Sequence, residues 1–126
     1  MINIKELRIG NTVFNGFNQV VTIDGIISDK NTSGYDTETL KPIKLLEQRL
    51  YELGLEKYEG SDIPTYFKNF GNYYGEDFEY CFMIFKDAKH NFYTEIMGRK
   101  IILESVHQTQ NLFFDITGKE LICKTK

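Results

Sequence analysis

Short alternating runs, rather than long helical stripes, dominate the hydrophobic pattern of this 126-residue chain. Near the start, "LRIGNTVFNGFNQVVTIDGIISD" places the turn signals Gly10-Asn11 and Asn15-Gly16 around β-branched runs. Thr12 to Asn15 is predicted as one strand and Gln19 to Ser28 as a longer one. That order of glycine, short strand, turn and long strand is like the opening of a small SH3-like barrel. Asp29 to Thr39, "DKNTSGYDTET", is polar with one glycine and predicts a loop.

The period changes in "KPIKLLEQRLYELGLEKYEG". Leu45, Leu46, Arg49, Leu50 and Leu53 fall on one apolar stripe at helical spacing, with an arginine stem along it. Pro42 precedes this helix, and Gly54 stands where a left-handed C-terminal residue is wanted. Leu55 to Tyr58 then starts a strand. Alternation returns from Pro64 to Glu104 as four strands, Thr65–Phe70, Glu79–Phe85, Phe92–Met97 and Lys100–Glu104. Tight connections make them an antiparallel meander. In the last segment Ser105 can cap a helix and Gly118 can end it, with Val106, Leu112, Phe113 and Ile116 close to one face. Leu121 and Ile122 form either a short strand or a docked tail. The predicted fold is a single α+β domain over residues 1–126, a largely antiparallel twisted sheet with two packed helices.

Composition narrows the function classes. The chain is 41% apolar and 26% charged, too apolar for general disorder. Its formal net charge of −3 opposes broad phosphate-driven binding to nucleic acid. Cys81 and Cys123 are far apart and only His90 and His107 could join them, so no metal site is expected. The opening "MINIKELRIGN" lacks the basic and apolar regions of a signal peptide, and no run is long enough to cross a membrane. The expected compartment is a reducing bacterial cytoplasm. No nucleophile elbow, P-loop, H-E-x-x-H or dinucleotide fingerprint is present. The chain is therefore expected to be no enzyme and to need no cofactor.

One stretch stands apart. "YFKNFGNYYGEDFEYCFMIF", Tyr66 to Phe85, holds nine of the chain's eighteen aromatic residues. Phe82, Ile84 and Phe85 are expected in the sheet core, and so are Phe67 and Phe70. Tyr73 and Tyr74 resist that assignment, because a turn framed by Gly71 and Gly75 does not need two tyrosines. Tyrosine buries a ring while its hydroxyl stays wet, which suits interfaces. The stretch carries one basic residue, Lys68, against Glu76, Asp77 and Glu79, so phosphates would be repelled. A basic protein surface fits better. The expected protein-binding set is Tyr73, Tyr74, Glu76 and Asp77 with Tyr66. The alternative is a nucleic-acid patch of Arg99, Lys100, Lys119 and Lys124 in the more basic C-terminal third. His107, Gln108, Gln110 and Asn111 open the final helix as a polar cluster, either bonding buried backbone or forming a recognition face.

Three segments together carry a resemblance. "NIKELRIGN", "KPIKLLEQRLYELGLEKY" and "VHQTQNLFFDITGKEL" resemble a group of small uncharacterised proteins from phages and mobile elements of Bacteroidota. Their closing motif reads H-Q-L-Q-N-L-Y-F-A-L-T-G-E-E-L. His107, Gln108, Gln110, Asn111, Leu112, Phe114, Thr117, Gly118, Glu120 and Leu121 match it, while Thr109, Phe113 and Asp115 depart. The resemblance implies a genomic setting rather than a mechanism. In such elements, small acidic proteins are often counter-defence factors, including anti-CRISPR inhibitors. The expected partner is a host protein or ribonucleoprotein with a basic surface, such as an RNA-guided nuclease, with RNA contacted through that partner and no membrane involved.

Overall fold

A computed structural model describes residues 7–23, 40–72 and 79–124. The fold is α+β, with two antiparallel sheets and two helices among the described residues. Strands β1 (Thr12–Phe14) and β2 (Val20–Thr22) form a two-stranded sheet. Strands β3 (Glu56–Tyr58), β4 (Thr65–Asn72), β5 (Glu79–Lys86), β6 (Phe92–Ile96) and β7 (Arg99–Leu103) form a five-stranded meander in chain order. Helix α1 spans Glu47–Glu52 and α2 spans Val106–Thr117. The long strand expected from Gln19 to Ser28 is described only through Ile23. Its remainder and the loop expected at 29–39 lie outside the described residues.

Local chemistry sets both helix ends. After α1, Gly54 takes φ +89 and donates to the Tyr51 carbonyl at 3.0 Å, while Leu55 donates to the Leu50 carbonyl at 3.0 Å. This pair of bonds satisfies the last carbonyls, and Leu50 and Leu55 bury together beside it. Leu46 does not join the apolar stripe. It is the N-cap, its backbone is extended, and its side chain is exposed. At α2, the Ser105 hydroxyl accepts from the Gln108 N–H, and Gly118 ends the helix at φ +73. The tail after α2 docks without forming a strand, with Leu121 buried and Ile122 exposed.

Alternation along the meander splits its side chains between two faces. Tyr66 pairs with Ile84, and Phe92 pairs with Leu103. All four are buried under the helices. Phe113 of α2 meets Phe82 edge to face at 5.2 Å between ring centroids, and Phe70 at 6.0 Å. Phe70 gets there through a bulge, since the β4–β5 register shifts between Asn69 and Gly71. Phe113 and Val106 are buried, but Ile116 is exposed.

Helix α2 also carries the small sheet. A second apolar cluster, Val13, Ile23 and Leu40, fills that sheet. The seam between it and α2 is polar. Gln110 is fully buried, its Oε1 accepting from the Thr12 N–H at 2.8 Å and its Nε2 donating to the Leu121 carbonyl at 2.9 Å. Asn11 donates to Asn111 at 2.8 Å. Arg8 lies over the Phe114 ring at 4.3 Å, pairs with Glu120 and donates to the Gln110 carbonyl. The segment from Leu40 to Leu45 links the sheets by backbone bonds, Lys41 with Phe14 at one end and Leu45 to Glu104 at the other.

Candidate protein-docking face

The strand face turned away from the helices is the most distinctive surface. One row crosses all five strands in register: Tyr58, Thr65, Phe85, Tyr93 and Ile102. A second row is Glu56, Phe67 and Met83. Tyr58 is 52% exposed and Met83 and Ile102 are each 42% exposed, while Phe67, Phe85 and Tyr93 are half-buried among one another. The rings of Phe85 and Tyr93 lie 5.4 Å apart, and the Lys100 ammonium sits 4.5 Å above Tyr93. Beside them an apolar groove of about 560 Å³ runs between Tyr58, Phe67, Cys81 and Met83. A meander of this size usually has one solvated polar face. Here the outward positions carry rings and a thioether instead.

Phe67 and Phe85, both expected in the core, therefore sit on the open face. Each alternates with a buried neighbour, Tyr66 and Ile84 respectively, so their side chains leave on the other side. Tyr66 is the opposite correction. Expected as a contact residue, it is 1% exposed, packs edge to face against Tyr51 and Phe92, and donates its hydroxyl to the Glu47 carboxylate. Burial first, then the bond to and the charge of Glu47, raise the Tyr66 phenol above its ordinary range. Tyr73, Tyr74, Glu76 and Asp77 lie outside the described residues, in the connection between Asn72 and Glu79.

The basic residues of the alternative reading are exposed but do not gather in one place. Arg99 and Lys100 open β7, and Lys100 pairs with Asp87 at 3.2 Å. Lys119 donates to the Phe70 carbonyl at 2.6 Å, and the Lys124 N–H bonds the Glu52 carbonyl at the end of α1. Asp87 also accepts from the N–H groups of Lys89 and Asn91. The Asn91 bond, then Lys100 and the Lys89 N–H, hold its carboxyl below the usual range.

The polar cluster that opens α2 is structural in its contacts. Gln110 and Asn111 hold the small sheet, and Gln108 accepts from the Glu104 N–H at 3.0 Å. His107 is buried, its Nδ1 3.1 Å from the Ser105 hydroxyl. A hydroxyl beside an imidazole is half of a nucleophilic relay. Ser105, however, is itself buried and its hydroxyl serves the helix cap. His90 is exposed in the β5–β6 turn at φ +67, and both histidines line a groove of about 460 Å³ beside Lys44 and Glu104. Burial first, then the Glu52 charge, pushes the Cys123 thiol up to about 11, whereas Cys81 is exposed. Among the described residues no three His, Cys, Asp or Glu side chains stand close enough to hold a metal ion. No described helix is long and apolar enough to cross a membrane.

No family model, curated protein or solved structure matches the chain.

Proposed function

We propose that this protein acts without catalysis, by binding another protein through the open face of its five-stranded sheet. The observation that carries this reading is the open-face row of Tyr58, Phe85, Tyr93 and Ile102, exposed at Tyr58 and Ile102, with exposed Met83 beside it. Large rings and a thioether on a rigid sheet supply contact area at little entropic cost, which is what interface anchors need. The chain's net charge of −3, and the acidic Glu76-Asp77 connection between β4 and β5, favour a basic partner surface. The resemblance to phage and mobile-element proteins supplies the setting. The partner is a cytoplasmic host defence complex, such as an RNA-guided CRISPR nuclease, and the consequence of binding is inhibition. The accessory nucleic-acid reading has less behind it, since its four basic residues divide between β7 and the segment after α2, and the ammonium groups of Lys100 and Lys119 are engaged in internal bonds.

The test is capture of the tagged protein's partner from a defence-proficient host lysate, with and without nuclease treatment. A Tyr58→Ser/Ile102→Ser variant runs in parallel. The expected result is a defined protein complex that survives nuclease, is lost with the variant, and has its target cleavage suppressed by the native chain. A partner lost on nuclease treatment, or one held equally by the variant, would overturn the reading.

A further inference from the structure

The open face carries carboxylates on both sides of its apolar groove. Glu56 pairs across the ladder with Phe67, and Phe67 with Met83, so Glu56 opens the row whose apolar members line the groove. On the other side Glu95 follows Tyr93 by two residues on β6 and leaves the sheet on the same face. Both carboxylates are exposed, and neither forms an ion pair with a described residue. Lys100, the cross-strand neighbour of Glu95, pairs with Asp87 instead. Strands β3 and β6 are three steps apart in the sheet, a span of about 14 Å at ordinary strand spacing.

Two physical requirements select what fits between these carboxylates. A sheet face, unlike a sheet edge, presents side chains and offers no row of main-chain donors and acceptors. A segment lying on it must satisfy its own backbone, which a helix does internally and a lone extended segment does not. A helix with its side chains is about 10–12 Å across, so it fits within the span and brings both of its flanks towards the carboxylates. Its inward stripe must be apolar to fill the groove between Tyr58, Phe67 and Met83, and its flanks must be basic. The described helices of this chain do not qualify. Helix α1 has two glutamates to one arginine, and α2 has Asp115 and neither lysine nor arginine. A second copy of the chain therefore supplies no such helix from its described residues.

We propose that the open face seats an amphipathic helix of the partner protein, apolar where it meets the groove and bordered on both sides by Lys or Arg that pair with Glu56 and Glu95. The proposal rests on the protein-binding reading above and specifies the partner segment. Apolar burial in the groove supplies affinity, while the two carboxylates select the charge of the flanks and set the helix between them.

The probe is a blocked eighteen-residue peptide of Leu, Ala and Lys, with leucines at helical spacing and lysines along both borders of that stripe. It is titrated into the ¹⁵N-labelled full chain. Its control has the same composition reordered so that the leucines share no helical face. The expected result is peptide helicity gained on binding, read by circular dichroism, with amide shifts at Phe67, Met83 and Tyr93 that exceed those along α2. Affinity falls about 10-fold or more for the reordered peptide. It falls about 3-fold for Glu56→Gln/Glu95→Gln, which also flattens its dependence on salt. No shift at those amides at millimolar peptide, equal binding of the reordered control, or an unchanged affinity in the glutamine variant would overturn the helix. So would concentration-dependent shifts at the same amides without peptide, which would assign the face to a second copy of the chain. Capture lost in the Tyr58→Ser/Ile102→Ser variant alongside a silent titration leaves the docking face standing and removes only the helix. Capture unaffected by that variant removes the docking reading itself, whatever the peptide does.

Discussion

The two faces of the five-stranded sheet come from the same strands, with the same alternation and nearly the same count of rings, yet they have opposite fates. The covered face puts Tyr66, Phe82, Ile84 and Phe92 against the helices. The open face leaves Tyr58, Met83 and Ile102 exposed. Aromatic content therefore says little by itself about whether a residue is core or contact. What decides is which side α2 covers, and Phe113 marks that side. A side chain that is large and apolar on the other face adds little to folding and remains available for binding.

Substitutions can break this comparison. The largest loss is expected from Phe113→Ala, about 3–5 kcal/mol, since it empties the space between Phe70 and Phe82. Urea unfolding would show it as a lower midpoint at unchanged slope. Next comes Gln110→Leu, about 2–3 kcal/mol, because the Thr12 N–H and Leu121 carbonyl lose their buried partner. Amide exchange at Thr12 should quicken along with the fall in stability. Tyr58→Ser/Ile102→Ser should cost no more than about 1 kcal/mol, the usual scale for two exposed positions. A loss as large as that of Phe113→Ala would mean the open face is core and would end the contrast between faces.

The smallest effect belongs to pH. The Asp87 carboxyl is held low by the Asn91 N–H, with help from Lys100 and the Lys89 N–H. A depressed carboxylate contributes stability above its ordinary range and loses it as pH falls through its folded value. Asp87→Asn should therefore flatten part of the acid limb of the stability curve and leave neutral stability slightly lower. A variant that follows the native acid limb would show that the turn bonds do not favour the ionised form.

Much of this was legible in the sequence for identifiable reasons. Gly54, Ser105 and Gly118 do in the structure what their residue types predict, because caps are local chemistry. The four strands expected between Pro64 and Glu104 stand within two residues of their expected bounds. The errors are of another kind. Hydrophobicity alone puts Phe67 and Phe85 in the core, whereas strict alternation with Tyr66 and Ile84 puts them on the far side. Tyr66 lies near the loop tyrosines along the chain, but its partner Glu47 arrives from α1 and it is core. Gln110 looked ambiguous because its partners, Thr12 and Leu121, lie far away along the chain. That β5 and β6 pair only at Phe85 with Tyr93 and at Lys86 with Phe92 has no signal in the sequence, as both have ordinary strand sequences.

The polar seam around Gln110 also bears on how the chain assembles. The meander joins neighbours in sequence, so its contacts close short loops. The bond from the Thr12 N–H to Gln110 spans 98 residues, and the Arg8–Glu120 pair spans 112. On loop-closure grounds these contacts are expected to form after the local ones. The small sheet has its own apolar cluster and a hydrogen-bonded boundary, so its amides are expected to exchange ahead of those of the meander, which native-state hydrogen exchange would check.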